Sequence, residues 1–500
     1  AENHSIGGTF VTSWSHNQEE SNMAAGSGQD LDAWSFWRLT SATSPHVESD
    51  FAQTQKMSYA VRFNYSYKGK YLLTFSNRWD GVSWLANKWD SFPAAALAWR
   101  ISDETFMEST HDWLSNLKLR VGYGVTGNSG GVGAYGTLTN AIISGSGISI
   151  GGNNAPFAQY TGTYSNPDLA WEKSHNWNVG IDLGFLNNRI DGSIEWFTTK
   201  TKGLLFKRTL PVTTGNTGWG RPLDVWENLA ETSNMGVEAT INSHNIKTKD
   251  FSWDTTLSFT WSKEKINSLP TGDLIKENLF EGQPIHALYD YKYAGIWGSN
   301  VPQETLDAYG VKPGWVKIET LDKDGDGGVH KYGEDDRQIL GHTNPDVILG
   351  LNNTFTYKNF DFSVFAMARY GQTIKSNLIG WYRASSDPSI NQPAGVDYWT
   401  EENQNAYYPV PGSGKEQKVM SALTYRDGSF IKIKNITLGY TLPQVVSRKV
   451  LMEKCRFYAT AYNPFLYVKD KELRGTDPET NGSDSFPLYK QFVFGVNITF

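Results

Sequence analysis

The chain has 500 residues, including 48 Gly and 19 Trp, and a formal charge of −7. That charge leaves no basic footprint for nucleic acid, and the single cysteine, Cys455, excludes an intrachain disulfide framework and any multi-cysteine metal site. No window reaches the roughly 18 uncharged apolar residues that a membrane helix needs, so a bilayer crossing would have to use strands.

The opening "AENHSIGGTF" lacks the basic and apolar regions of a secretory leader; it is expected to be a processed start, an expression boundary or an internal cut. Residues 1–56 have room for a strand or two, at "FVTSW" and "AWSFWRLT". From residue 57 onward a period-two pattern recurs. Strands are predicted at roughly 61–67, 71–79, 93–101, 117–126, 177–185, 190–198, 235–243, 251–262, 346–357, 360–371, 428–440, 456–462 and 490–500. In "LKLRVGYGV", Leu117, Leu119, Val121, Tyr123 and Val125 oppose Lys118, Arg120, Gly122 and Gly124. In "FSWDTTLSFTWS", Phe251, Trp253, Leu257, Phe259 and Trp261 oppose Ser252, Asp254, Thr256, Ser258 and Thr260. The last stretch, "YKQFVFGVNITF", sets Phe492, Phe494, Val496, Ile498 and Phe500 on one face. Side chains alternate across a strand, so each segment has an apolar face and a small or polar one. Each is also about ten residues long, the span of a tilted transmembrane strand. "SFIKIKNITLGY" slips phase around Lys432 and Lys434, which predicts a bulge or the aqueous end of a strand.

The connections divide by length. "YKGK" at 67–70, "LNNR" at 186–189, "HNIKTKD" at 244–250 and "YKNF" at 357–360 are minimal, whereas 127–176, 200–234, 263–345 and 372–427 are predicted as long loops at the opposite ends of the strands. The connections near 102–116 and 441–455 are intermediate and read as small helical turns. A soluble β-sandwich also alternates, but it has no reason to segregate loops by length; outer-membrane barrels do so. The predicted fold is therefore all-β, a transmembrane antiparallel β-barrel with long extracellular loops. Inside hydrocarbon, strands can span only as a closed barrel with apolar side chains facing out.

The polar loops carry the candidate sites. "DKDGDGGVHKYGEDD" places Asp322, Asp324 and Asp326 at calcium-loop spacing with Gly327 at the turn. The acid expected at position twelve is displaced, with Gly333 there and Glu334, Asp335 and Asp336 after it; Asp336 is the fourth candidate ligand. The competing reading is a solvated acidic turn. "GYGVTG" at 122–127 and "GNSGG" at 127–131 match nucleotide and nucleophile-elbow patterns, but no helix follows either, so both read as a strand entering a glycine-rich loop. The nine histidines are scattered, and Glu401 and Glu402 sit in a polar loop, so nothing points to turnover. "NTGWGRPLDVWEN" and "GWYRASSDPSINQPAGVDYWTEENQNAYYPV" offer Trp219, Trp226, Trp381 and Tyr382 as candidate substrate contacts, because flat aromatic faces stack on sugar rings or peptide side chains. Packing of the loops against one another explains the same residues.

From about residue 57 to the end, the chain resembles the SusC/RagA-type TonB-dependent transporters of Bacteroidetes, in their C-terminal half. The resemblance lies in "RFNYSYKGKYLLTFSNRWDG", "FPAAALAWRISDETFM", "LKLRVGYGVTGN", "NPDLAWEKSHNWNVGIDLGFLNNRIDGSIEWF", "NLAETSNMGVEATI", "DKDGDGG", "DGSFIKIKNITLGYTLP", "GTDPE" and "FPLYKQFVFGVNITF", in the family's order. It implies a 22-stranded barrel, of which residues 57–500 are the C-terminal part and residues 1–56 an upstream strand or two with a loop. No plug domain is recognisable in these residues, and a dozen strands left open would expose two edges to lipid. The expectation is thus one segment of a cleaved or split transporter, its N-terminal half supplied by another chain. The resemblance further implies an outer-membrane location, lipid and lipopolysaccharide around the wall, a SusD-like lipoprotein lid, and TonB acting through the plug. The cargo would be an oligosaccharide or oligopeptide, moved without bond chemistry and with no cofactor beyond the candidate calcium. A passive porin and a soluble calcium-dependent binding module are the rival readings.

Overall fold

The computed structural model describes residues 3–144, 148–150, 153–155, 158–211, 213, 224–322, 325, 327–384, 390–413 and 417–500; the side chains of 140–163 and of 450 fall outside that description. Fourteen long strands form one sheet in which each pairs antiparallel with the next in the chain. They are β1 (His4–Ser27), β2 (Ser44–Tyr67), β3 (Tyr71–Val82), β4 (Trp89–Arg100), β5 (Leu114–Asn128), β6 (Glu172–Phe185) and β7 (Ile190–Thr209). The others are β8 (Asp224–Lys247), β9 (Phe251–Ser268), β10 (Val347–Tyr357), β11 (Phe360–Tyr370), β12 (Phe430–Thr441), β13 (Lys454–Val468) and β14 (Gln491–Thr499). Such an up-and-down order needs only hairpin connections, so neighbours in sequence are neighbours in space. Among the described residues β1 pairs only with β2 and β14 only with β13, which leaves the sheet with two free edges.

The alternation read in the sequence sets the two faces. Ile6, Tyr65, Leu73, Leu97, Val121, Val179, Trp196 and Val237 are successive cross-strand partners from β1 to β8. Trp253, Phe355, Phe362, Leu438, Ala459 and Phe494 continue the band from β9 to β14. The final strand remains bare on that side, with Phe492 68%, Phe494 80% and Phe500 85% exposed. Among the described residues no second sheet packs on the band, so the sandwich reading falls. Apolar side chains exposed along one whole face suit hydrocarbon.

The opposite face is knitted by polar pairs. Arg120 on β5 gives Nη2 to Asp182 Oδ1 on β6 at 2.8 Å and to Glu195 Oε1 on β7 at 2.6 Å. Asn242 donates to Asp191 at 3.0 Å and accepts from Thr256 at 3.0 Å, again across three strands. Arg456 Nε reaches Asp361 Oδ1 at 2.9 Å. Glycines such as Gly180 make room: a Cβ there would lie 3.0 Å from Arg120 Nη2.

Turn chemistry closes the short end. Between β2 and β3, Lys68 and Gly69 both have positive φ, 50° and 68°, the two-residue geometry whose twist matches a hairpin. The intermediate connections are helical as expected, with 3₁₀ turns at Ile101–Asp103 and Thr105–Thr110, and Gln444–Ser447 followed by Arg448–Val450. Glu104, between the first two turns, fastens that rim by accepting from Tyr71 Oη at 2.7 Å and Trp99 Nε1 at 3.1 Å.

Four expectations are corrected or sharpened. "AWSFWRLT" is not a strand: Asp32–Ser41 winds into 3₁₀ turns broken at Ser35 (φ 44°), and the strands flanking it are β1 and β2. Much of 200–234 is not loop, because β7 runs to Thr209 and β8 begins at Asp224; register shifts around Thr201 and Leu204 carry the ladder past the point where alternation fails. The connection 83–88 is short although it lies at the long-loop end. The phase slip in β12 is a bulge: the register steps from Ile433 to Asn435, leaving Lys434 unpaired against both neighbours.

The dry interior of this molecule lies in its loops. Ile374, Ile379, Leu423, Val316, Ile318 and Leu473, from three different connections, form a cluster with each residue no more than 3% exposed. The loops between β9 and β10, β11 and β12, and β13 and β14 therefore make a packed crown with a core of its own.

Candidate binding cleft

Three two-stranded ribbons frame the crown: Ala287–Asp290 with Gln338–His342, Tyr293–Ile296 with Val316–Ile318, and Thr373–Lys375 with Tyr425–Asp427. Hydrogen bonds between residues far apart in sequence tie them together. Tyr293 Oη donates to the Tyr407 carbonyl at 2.9 Å, Tyr425 Oη to Asp290 Oδ2 at 2.8 Å, and Tyr408 Oη to Glu472 Oε2 at 2.8 Å. Between the ribbons and the ends of β10–β13 opens a cleft of about 650 Å³, within the range of small-ligand sites.

Its lining mixes phenol rings, amides and charge. Tyr291, Tyr293, Tyr407 and Tyr425 contribute rings; Gln338, Gln372, Arg426 and Lys469 contribute polar ends. Burial pushes the Tyr407 phenol up to about 12, with Arg426 acting against it. Burial also raises Tyr293 and Tyr425, so these two phenols stay protonated at neutral pH and donate, Tyr293 to the Tyr407 carbonyl and Tyr425 to Asp290. Asp427 goes the other way: burial raises it, but Lys469 Nζ at 2.6 Å and the Ser429 amide at 2.9 Å outweigh that, and the carboxyl ends below its ordinary range.

The lysine of the bulged strand is held close by. Lys432 is 1% exposed, and its ammonium is bonded by Asp477 and, at 2.7 Å, by Glu479, both in the "GTDPE" stretch. Lys434 reaches the same Glu479 at 2.8 Å. Burial raises the Glu479 carboxyl, the two lysines pull it down further, and the net position is below its ordinary value.

The residues singled out in the sequence are scattered. Trp219, Asp324 and Asp326 lie outside the described residues. Trp226 is half-buried against the cluster of Leu85, Phe92, Leu169 and Trp171, and its carbonyl accepts from Asn166 at 2.7 Å, which is loop packing. Trp381 and Tyr382 stand exposed on the turn Ile379–Arg383. Asp322 is exposed, but Asp336, expected beside it, is wholly buried. The Asp336 carboxylate accepts from the Gly333 amide at 2.9 Å, the Leu321 amide at 3.2 Å and His330 Nε2 at 2.9 Å, which makes it the internal clasp of its own loop. Residues 122–128 belong to β5, and among the described residues after it no helix follows Ser129 before β6.

Sequence reading missed the cleft. Arg426 in "TYRDGS" and Gln372 in "RYGQTIK" carry no motif, and it is the ribbon pairing Thr373–Lys375 with Tyr425–Asp427 that brings their segments together.

Comparisons with known proteins agree with this architecture. The family described as "TonB dependent receptor-like, beta-barrel" matches residues 6–463. The chain is 31% identical over 480 residues to TonB-dependent receptor P3 of Formosa agariphila, covering 90% of this chain and 46% of that protein. It is also 31% identical over 466 residues to TonB-dependent receptor SusC of Bacteroides thetaiotaomicron, covering 89% of this chain and 44% of that protein. Among solved structures, the RagAB peptide transporter superposes with a TM-score of 0.81 at 22% identity, covering all of this chain and 54% of that one. The chain thus spans about half the length of the curated relatives it matches.

Proposed function

The chain belongs to the TonB dependent receptor-like β-barrel family, and from that premise we propose that it forms part of the wall and crown of an outer-membrane importer of oligomeric nutrients. It is an outer-membrane protein and not an enzyme; its relatives are receptors by name. The cargo class we propose is an oligosaccharide or oligopeptide. A SusD-like lipoprotein would cover the crown, and TonB would act through a plug. Residues 1–56 would supply the upstream strands and residues 57–500 the C-terminal part of the barrel. Further strands, from another segment or a separate chain, would pair with the free edges of β1 and β14, since an open edge is not viable in lipid.

The observation that carries this reading is the pairing of two features on one sheet. An unbroken apolar band faces outward, and a cleft lined by rings and amides sits in a packed crown at one end. A wall suited to hydrocarbon with a recognition surface at its mouth suits capture followed by gated passage. Calcium held by Asp322, Asp324 and Asp326 is a further proposal; Asp336 is not part of that set, because protein donors already fill its carboxylate.

Uptake by intact cells tests the importer. Oligomer uptake should fall when the lid lipoprotein is deleted, while the barrel still inserts, and should stop when the inner-membrane proton gradient is collapsed. Unchanged uptake in both cases would favour passive diffusion and overturn the reading.

A further inference from the structure

Arg426 lines the cleft and is only 8% exposed, yet its Nε and Nη2 have no hydrogen-bond partner. Its Nη1 lies 3.8 Å from Asp470 Oδ2, and Asp470 also caps the turn at Lys471–Leu473. The guanidinium rests on the Tyr407 ring, 4.4 Å from its centroid, which fixes the plane of the fork. Nε and Nη2 form one planar edge with two parallel N–H vectors, the edge that grips a carboxylate with both oxygens. Elsewhere this chain uses that edge in the same way. Arg208 gives Nε and Nη2 to Glu227 at 2.7 and 2.8 Å, and Arg456 gives the same pair to Asp361. In Arg426 alone of these three the edge is empty, and buried N–H groups of a charged side chain left without an acceptor are costly to keep.

Two more residues of the cleft lining carry an unmatched buried group. Gln372 is 1% exposed; its amide nitrogen donates to the Gly428 carbonyl at 2.7 Å, which leaves Oε1 without a donor. Gln338 Nε2 is buried without an acceptor. The cleft's lysines are already held, Lys469 by Asp427 at 2.6 Å and Lys292 by Glu319 at 2.9 Å. What the cleft lacks is therefore an anionic fork with a hydrogen-bond donor and an acceptor nearby.

We propose that Arg426 anchors a carboxylate-binding subsite, in which a carboxylate of the cargo lies on its Nε–Nη2 edge while Gln372 Oε1 and Gln338 Nε2 bind neighbouring polar groups. The inference rests on the reading of the cleft as a cargo site and narrows the cargo to acidic units. Two sources supply this chemistry, a uronate sugar and an acidic peptide side chain.

Titration calorimetry on the complete detergent-solubilised transporter, with all its polypeptides, tests the subsite. The probes are trigalacturonate against galactotriose, and Ala-Glu-Ala amide against Ala-Gln-Ala amide. In at least one pair the acidic probe should bind about tenfold or more tightly than its neutral twin, and that pair identifies the source. Arg426→Gln should erase the advantage, bringing the acidic probe to the affinity of its neutral twin. Arg426→Lys, which keeps the charge and lacks the fork, should lose most of it. An acidic advantage that is absent in both pairs, or that survives Arg426→Gln, overturns the subsite. Should Arg426→Gln fail to fold, as judged by heat-modifiable migration on gels, Arg426→Lys decides. Uptake that depends on the proton gradient, measured in the same strains, keeps the importer reading separate: it can stand while the subsite fails.

Discussion

Lys432 Nζ lies 2.7 Å from Glu479 Oε2 across 47 residues of chain, and so fastens the bulged end of β12 to the loop before β14. Removing one member of a buried ion pair costs about 3–5 kcal/mol. Asp477 remains on Lys432, so Glu479→Gln should cost about 3 kcal/mol, the lower end of that range, measured by urea unfolding in detergent. The pH dependence follows from the lowered Glu479 carboxyl. A carboxyl depressed in the folded state adds stability that is complete above its unfolded value and is lost as pH falls through the folded one. The gap between wild type and Glu479→Gln should therefore be constant above about pH 5 and close at lower pH.

Leu257 and Ser258 are consecutive on β9 but belong to opposite faces, Leu257 partnering Leu351 and Ile241 in the apolar band. Leu257→Arg should cost about 2–4 kcal/mol near mid-bilayer, whereas Ser258→Arg, on the wet side, should cost less than about 1 kcal/mol. Unfolding titrations in lipid vesicles separate the two. Equal costs would mean that the face assignment is wrong.

Gly482 has φ +82°, and a Cβ there would lie 2.1 Å from the Lys375 carbonyl oxygen. Its own carbonyl accepts from the Asn377 amide at 2.9 Å, joining two of the crown's loops. Gly482→Ala should loosen that seam by about 1–3 kcal/mol. The readout is faster protease cleavage within 372–427 while the heat-modifiable barrel band stays unchanged.

Asp336→Asn keeps the shape of the clasp but removes the charge that three donors share. Loss of about 2 kcal/mol of local stability is expected, seen as faster amide exchange at Leu321 and Gly333. The loss should be the same in calcium and in chelator. Protection that calcium restores would put Asp336 among the metal's ligands after all.

The wall was readable because hydrocarbon enforces a period of two on every strand: residues such as Val121, Val179 and Trp196 advertise their face by spacing alone. "AWSFWRLT" misled because its aromatics are bunched without a strand partner, and Ser35 turns the chain instead. Thr201–Leu204 hid the extension of β7 because a register shift breaks alternation while the ladder continues. The cleft left no local trace. Its bonds join residues 114 and 135 positions apart, as in Tyr293 with Tyr407 and Tyr425 with Asp290, and no window of sequence contains both ends. Arg426 could have been suspected only by comparison with the filled forks of Arg208 and Arg456.

The knot of Ile374, Ile379 and Leu423 holds together without help from lipid. In the importer proposed above, the headpiece would then be exchangeable as a cassette, with the staves beneath it left untouched. A chimaera that carries residues 372–427 and their packing partners on a foreign set of staves should keep its donor's appetite.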